Sequence, residues 1–163
     1  MNSAGELQRV PPLGWLAAGL LAQRGLPRGR RPSRTSRGLA GMILAASLGF
    51  LAWAVRAFRH HETTVDPLAP ERANQLVSDG PFLLTRNPMY VAMAGVLVAN
   101  AVARRSTLGL LPAAGFVLLI NQAQIEAEER AMAGKFGADW DQYVATTPRW
   151  LSPRSFPDRK PSA

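Results

Sequence analysis

The sequence of 163 residues contains no cysteine, only two histidines and only two lysines. The lack of cysteine excludes disulfides, thiolate metal sites and cysteine nucleophiles. Two adjacent histidines, His60 and His61, are too few for a histidine-rich metal site, so we expect no metal ion. Arginine dominates the charge, because 19 basic residues against 11 acidic ones give a net charge of +8. A charge this positive suits either nucleic acid or an anionic membrane surface.

Long uncharged runs favour the membrane. Runs of 18, 17 and 20 residues cover 38–55, 87–103 and 106–125. A helix needs about 20 apolar residues to cross a hydrocarbon core of about 30 Å. The runs therefore predict three transmembrane helices, with Arg56 and Arg86 reaching towards the membrane interface. We expect an integral membrane protein whose partner is the lipid bilayer, with no nucleic-acid partner.

The N-terminal region has a shorter uncharged run at residues 10–23. This run fits a fourth span, an interfacial helix or a signal-peptide core. The basic segment 24–37 contains Gly, Pro and Ser but no aromatic residue to stack on a base, which favours a linker at the membrane surface over an RNA-binding segment. We divide the chain into an N-terminal apolar segment with its basic linker (1–37), a membrane domain (38–151) and a flexible tail (152–163).

The predicted fold class is all-α, a polytopic membrane protein with three to four transmembrane helices. Ser106-Thr107 separates the second and third long runs and predicts an antiparallel helical hairpin. A charged helix should continue from about Ile125 on the side where the hairpin ends. Because a hairpin returns the chain to the side where it began, the polar segments 59–90 and 121–150 should meet at one face.

Both polar segments have a structural and a functional interpretation. Asn87-Pro88 is typical of a helix start, where free N–H groups and the positive dipole end also suit a ligand carboxylate. In the second segment three carboxylates lie within four residues, which fits a solvated helix with a Glu126–Arg130 pair. Polar side chains at membrane depth are costly, however, and indicate a cavity or a partner. They are Asn121, Gln122 and Gln124.

An ordered series of short motifs runs from about residue 59 to residue 151. It consists of Thr64-Val65-Asp66-Pro67, Leu76-Val77, Gly80-Pro81-Phe82, Thr85-Arg86-Asn87-Pro88-Met89-Tyr90, Asn121-Gln122-Ala123-Gln124-Ile125, Glu128-Glu129-Arg130, Phe136-Gly137, Trp140, Tyr143 and Arg149-Trp150-Leu151. In order and spacing the series resembles bacterial isoprenylcysteine carboxyl methyltransferase-like proteins, which share a superfamily with the phospholipid methyltransferases.

The resemblance implies S-adenosyl-L-methionine as cofactor and assigns roles to individual residues. The expected cofactor contacts are Asn74, Leu76, Val77, Phe82, Asn87, Pro88, Tyr90 and Glu128. Gln124, at the position of an arginine linked to substrate binding, and Asn121 are expected to bind substrate. We assign Glu128, Glu129 and Arg86 to catalysis, because either carboxylate is a candidate to take a proton from an amine acceptor.

The predicted function is methyl transfer to a lipid-like or lipidated acceptor, by O-methylation of a carboxylate or N-methylation of a headgroup amine. Transfer from a sulfonium is an in-line displacement that depends on alignment and on exclusion of water, and it needs no metal or protein nucleophile. The alternatives are an NADPH-dependent membrane reductase and a non-enzymatic membrane protein.

The basic residues hardly distinguish the two orientations. If all four segments span, Arg9, 56–86 and 126–163 carry 11 basic residues on one side, against 8 in 24–37 and 104–105. The resemblance places the active face in the cytoplasm, in a bacterial inner membrane.

Overall fold

The computed structural model describes residues 10–29, 31–60 and 75–156, which form helices joined by loops, without a β-strand. We number the α-helices of these ranges in chain order. They are α1 (Pro12–Gly25), α2 (Arg34–His60), α3 (Pro88–Ala103), α4 (Leu110–Ile120), α5 (Glu126–Phe136) and α6 (Ala138–Thr146). A π-helical turn, Asn121–Ile125, joins α4 to α5, and 3-10 turns cover Gly80–Leu83 and Pro153–Ser155. The all-α prediction is confirmed for the described residues.

Two helices are long and apolar enough to cross a membrane: α2 and the continuous helix Leu110–Phe136. α3 is apolar, but its 16 residues measure only about 24 Å at about 1.5 Å per residue. α1 has 14 residues and is shorter still. Length and composition thus support two spans, and the crossing of the membrane by α1 and α3 stays a prediction.

α3 lies at the centre of the bundle, with α2 along one side and α1 and α4 along the other. Small residues allow α2 and α3 to approach closely. A Cβ atom added at Gly95 of α3 would lie 2.2 Å from Ser47 Oγ of α2. Ser47 is one of three buried small residues at intervals of seven along α2, and small residues at such a crossing let helix backbones pack tightly. The three are Ala40, Ser47 and Ala54.

On the other side of α3, α1 is part of the hydrophobic core. Its residues Trp15, Leu16 and Leu20 pack against a cluster from α3 and α4. Gln23, at the end of α1, has no solvent exposure. Its Nε2 donates to the carbonyls of Leu97 (2.9 Å) and Gly109 (2.7 Å). α1 is therefore packed along α3 and α4 as part of the bundle.

The linker between α1 and α2 is fixed against the loop of the α3–α4 hairpin. The backbone N–H of Gly29 donates to the carbonyl of Arg104 (3.2 Å), and Ser106 Oγ donates to the carbonyl of Pro27 (2.8 Å). The basic segment 24–37 was expected to be irregular, but its two ends are helical, because α1 continues to Gly25 and α2 begins at Arg34. The irregular part between them is attached to the loop. These bonds place 26–29 and 104–109 at one end of the bundle, and the predicted site residues belong to the opposite end.

Candidate functional site

The end of the bundle away from the linker, which we call the site end, gathers distant parts of the chain. It contains residues 75–90, the π-helical turn, α5, α6 and a C-terminal strap formed by residues 147–150. The two polar segments that the hairpin was expected to bring together therefore do meet. Side chains link the strap to the helices.

The strap is held against the start of α3. Thr85 Oγ1 and Asn87 Nδ2 both donate to the carbonyl oxygen of Arg149, at 2.7 and 3.1 Å. The backbone N–H of Arg86 donates to the carbonyl of Pro148 (2.9 Å). Asn87 occupies the N-cap position of α3, as expected, but its side chain makes no capping hydrogen bond. The side chain of Asn87 is hydrogen-bonded to the strap instead, so it does not cap the first backbone N–H groups of α3.

Beside the strap, Glu129 of α5 pairs with two arginines. It accepts from Arg86 Nη2 at 2.8 Å and Nε at 3.2 Å, and from both Nε (3.0 Å) and Nη2 of Arg149. Arg86 Nη1 donates to the carbonyl of Thr147 (2.6 Å), and Arg149 Nη1 donates to Asn121 Oδ1 (3.0 Å). The hydrogen bond to Glu129 raises the pKa of Arg149. The cluster therefore joins the start of α3, the π-helical turn, α5 and the strap.

Glu128 has different surroundings from its neighbour. Its Oε1 accepts from the hydroxyl of Tyr90 on α3 at 2.5 Å. Among the described residues, Tyr90 is the partner of Glu128, and the second carboxylate oxygen has none. Tyr90 is buried in the cluster of α3 and α4, so the hydrogen bond fixes the Glu128 carboxylate at the junction of α3 and α5. Such an oxygen is available to accept from a ligand.

Three of the expected cofactor contacts lie in one apolar cluster at the site end. Val77 and Phe82 are each 5% exposed, and Leu76 packs against them. Phe82 meets Phe58 of α2 edge to face, with ring centroids 5.0 Å apart. The rest of the cluster comes from the helices around it, namely Ala54, Ala57, Met89, Met132, Phe136, Trp140 and Tyr143.

Aromatic residues of α6 connect this apolar cluster to the charged cluster around Glu129. The hydroxyl of Tyr143 donates to the carbonyl of Phe82 (2.8 Å), and burial raises the pKa of that hydroxyl. The guanidinium carbon of Arg86 lies 5.9 Å from the ring centre of Trp140, within the range of a cation–π interaction. The apolar and charged clusters are therefore adjacent.

The remaining predicted residues have these positions. Pro88 is buried at the start of α3. Gln124 is buried in the π-helical turn, and its Nε2 donates to the carbonyl of Val10 at 3.0 Å. Asn121 accepts from Arg149, as described above. Asn74 lies outside the described residues. The structure thus brings all the described candidates to one end of the bundle, where Gln124 also bonds the residue before Pro11 and α1.

The strap and the π-helical turn were not assigned a role from the sequence. Arg149 and Tyr143 occur in the recognised motif series, but nothing local marks them as partners of Glu129 and Phe82. The π-helical turn coincides with the polar residues inside an apolar run, and π-turns occur frequently at functional sites. Polar residues at membrane depth were therefore a usable signal for the turn.

Within 10–29, 31–60 and 75–156 there is no group of three or more His, Cys, Asp or Glu side chains that could hold a metal ion. The site is thus built of carboxylates, arginines, amides and aromatic residues. The site can accept hydrogen bonds at Glu128 and offer N–H groups at the start of α3, beside a packed apolar cluster.

A family model described as phospholipid methyltransferase matches residues 36–139. The chain belongs to the phospholipid methyltransferase family. This confirms the superfamily predicted from the motif series. A protein of Haemophilus influenzae, described only as an uncharacterized protein, is 35% identical over 63 residues, which are 39% of this chain and all of that protein. No solved structure matches the chain significantly.

Membership in the phospholipid methyltransferase family identifies a methyltransferase and agrees with the two apolar helices of a membrane protein. It favours this class over the reductase and the non-enzymatic protein that the sequence also allowed. The matched residues include the start of α3, the π-helical turn and both Glu128 and Glu129, but they end before the strap.

Proposed function

We propose that the chain transfers the methyl group of S-adenosyl-L-methionine to a lipid-like or lipidated acceptor at the site end. Family membership supports the reaction class. The observation that carries the proposal is the hydrogen bond from Tyr90 to Glu128, because it joins the two segments to which the resemblance assigns cofactor contacts. The active face would lie on the cytoplasmic side of a bacterial inner membrane.

The residues at the site end fit the groups of this cofactor. When bound, the cofactor supplies a sulfonium methyl group that needs no further activation. The open oxygen of Glu128 suits its ammonium or its ribose hydroxyls, as a charge-assisted acceptor. The uncapped N–H groups at the start of α3 suit its carboxylate. Leu76, which packs against Val77 and Phe82 and is itself only partly buried, offers apolar surface to the adenine.

The two catalytic carboxylates would have different tasks. Glu129 is held by Arg86 and Arg149, so we assign it and Arg86 to positioning the start of α3 and the strap. Glu128 has the open oxygen and is the better candidate both for contact with the cofactor and for taking a proton from an amine. Gln124 and Asn121, which lie in the π-helical turn next to Glu128, would bind the acceptor.

The family description makes a phospholipid headgroup amine our first choice of acceptor, and an isoprenylcysteine carboxylate our second. An amine must lose a proton before or during methyl transfer, whereas a carboxylate needs no base. If the acceptor is an amine, replacing Glu128 by glutamine should abolish turnover even at saturating cofactor. If the acceptor is a carboxylate, turnover at saturating cofactor should be kept.

The test is incubation of the detergent-purified chain with methyl-labelled S-adenosyl-L-methionine and a bacterial lipid extract. We expect the cofactor to bind and label to enter the organic phase, as a methylated headgroup that releases no volatile methanol when treated with base. Release of the label as volatile methanol would instead indicate a methyl ester and the second acceptor. Absence of cofactor binding by a folded protein would refute the proposal.

A further inference from the structure

Among the residues that the structure describes, the end of the bundle opposite the site carries basic residues and no acidic one. We call it the arginine end, and its seven described basic residues are Arg24, Arg28, Arg31, Arg34, Arg37, Arg104 and Arg105. All but Arg104 are exposed. The acidic residues that the structure describes all belong to the site end or to the helices that extend from it, and they are Asp79, Glu126, Glu128, Glu129, Asp139 and Asp141.

Close packing holds these arginines together. A Cβ atom at Gly29 would lie 1.8 Å from the carbonyl oxygen of Arg105, so only glycine fits where the linker meets the hairpin loop. Arg104 Nη2 donates to the carbonyl of Leu26 (2.9 Å), and Arg105 Nη1 donates to the carbonyl of Arg31 (3.3 Å). These partners are neutral carbonyls, which orient the guanidinium groups without cancelling their charge.

The start of α2 adds to the positive potential. Its first turn contains Arg34 and Arg37 and no acidic residue. The N-terminus of a helix already carries a partial positive charge, so arginines there are unfavourable unless an anion is nearby. Ser33 caps the helix, because its Oγ accepts from the N–H of Ser36 at 3.0 Å. A long helix and a group of arginines thus present positive charge at the same place.

Exposed apolar side chains begin immediately beside the arginine end. On α2, Leu39 is 45% and Met42 is 64% exposed. At the start of α4, Leu108 is 48% and Leu111 is 63% exposed. A ligand that covers both the arginines and these residues needs an anionic head and an apolar tail.

We propose that the arginine end binds the headgroup of an anionic phospholipid, with its acyl chains along the exposed residues of α2 and α4. Arginine guanidinium groups bind phosphate in a bidentate manner, which favours a phosphodiester headgroup. The site is separate from the catalytic end, and the inference does not depend on the proposed reaction. It assigns a binding role to the segment between α1 and α2, and the bound lipid would sit in the leaflet opposite the active face.

The test compares dioleoylphosphatidylglycerol with dioleoylphosphatidylcholine as ligands of the full chain in detergent, measured by native mass spectrometry and by thermal stabilisation. Replacing Arg28, Arg31, Arg34 and Arg37 with glutamine removes four charges from the arginine end. Replacing Arg56, Arg59, Arg130 and Arg154 with glutamine removes the same charge elsewhere and is the control. Phosphatidylglycerol should bind the wild type and the control preferentially, and the first variant about tenfold or more weaker, since each arginine near an anionic headgroup adds to its binding.

Equal binding of the two lipids to the wild type, or unchanged phosphatidylglycerol binding by the first variant, would overturn the proposal. If the first variant does not fold, salt titration of the wild type decides, because raised salt should weaken phosphatidylglycerol binding. A salt-independent preference would then refute it. Stabilisation by inorganic phosphate equal to that by the lipid, or binding of a single-stranded RNA that phosphatidylglycerol fails to displace, would also refute it.

Discussion

At the scale of single residues, Glu128 and Glu129 are adjacent in the sequence, yet their carboxylates have different environments. Glu129 is bound by Arg86 and Arg149, whereas Glu128 is bound by the neutral hydroxyl of Tyr90. Successive residues of a helix point about 100° apart, so one carboxylate faces the strap and the other faces α3. The roles of the two residues should therefore separate experimentally.

Replacing Glu128 by alanine should weaken binding of S-adenosyl-L-methionine by roughly 1.5–3 kcal/mol, the value of a hydrogen bond to a charged group. The melting temperature should fall less than in Glu129→Ala, because Glu128 loses one neutral partner, Tyr90, whereas Glu129 loses two arginines. Isothermal titration calorimetry measures the affinity. Glu126→Ala is the control, since Glu126 lies about 200° around the helix from Glu128. Normal binding by Glu128→Ala together with weakened binding by Glu126→Ala would show that the wrong carboxylate is assigned.

Glu129→Ala should instead destabilise the fold, by about 3 kcal/mol, because it leaves two arginines without their counter-charge. The side chains of Arg86 and Glu129 are only 9% and 17% exposed, so water compensates little. Thermal unfolding in detergent measures the effect. Glu129→Gln keeps the hydrogen-bond acceptor and should lose less stability than Glu129→Ala. Equal stability of the wild type and Glu129→Ala would contradict a structural role for the cluster.

At the scale of helices, the close approach of α2 and α3 decides how the bundle tolerates substitutions. Gly95→Ala places a methyl group 2.2 Å from Ser47 Oγ. Overpacking of this kind costs about 1–3 kcal/mol. The melting temperature should fall, and the double variant Gly95→Ala with Ser47→Gly should recover most of the loss. Gly115→Ala in α4 is the control, because a Cβ atom there meets nothing within 4 Å. An equal effect of the two alanines would argue against tight packing of α2 on α3.

The linker offers a second matched pair of glycines. Gly29→Ala should disrupt the contact with the hairpin loop, because its Cβ atom would overlap the carbonyl of Arg105 at 1.8 Å. Gly25→Ala should be neutral or stabilising, since its Cβ atom meets nothing within 4 Å and alanine is the better helix former. Limited proteolysis of the linker reports the difference. A linker equally resistant in both variants would mean that the contact with the loop is unimportant.

The sequence predicted the helices better than the contacts between their side chains. Uncharged runs predicted α2, α3 and the α4–α5 helix, because a helix in a bilayer needs such a run whatever its tertiary contacts are. The π-helical turn was missed, because the polar residues of 121–125 mark an unusual place in the apolar run but do not by themselves specify the shifted hydrogen-bond register. The side chain of Asn87 was expected to cap α3, but its actual acceptor on Arg149 comes from 62 residues further along the chain. Such pairings depend on tertiary structure.

At the scale of the whole molecule, the two ends of the bundle should lie on opposite sides of the membrane. The hairpin loop is hydrogen-bonded to the linker, and the strap is hydrogen-bonded to the start of α3. We expect a reporter fused at the C-terminus to give a cytoplasmic signal and one inserted after residue 105 to give an external signal. The reverse pattern would refute the proposed orientation, even though both ends carry many arginines.

The buried amide of Gln23 also bears on the order in which the chain enters the membrane. Its partners Leu97, Asn100 and Gly109 are translated more than 70 residues after it. Until they arrive, the amide of Gln23 lacks these partners, and water or headgroups at the membrane edge must satisfy it instead. We therefore expect α1 to stay at the translocon or at the lipid headgroups until the α3–α4 hairpin has been inserted. Gln23→Leu should let α1 enter the bilayer early, before the hairpin that anchors it exists.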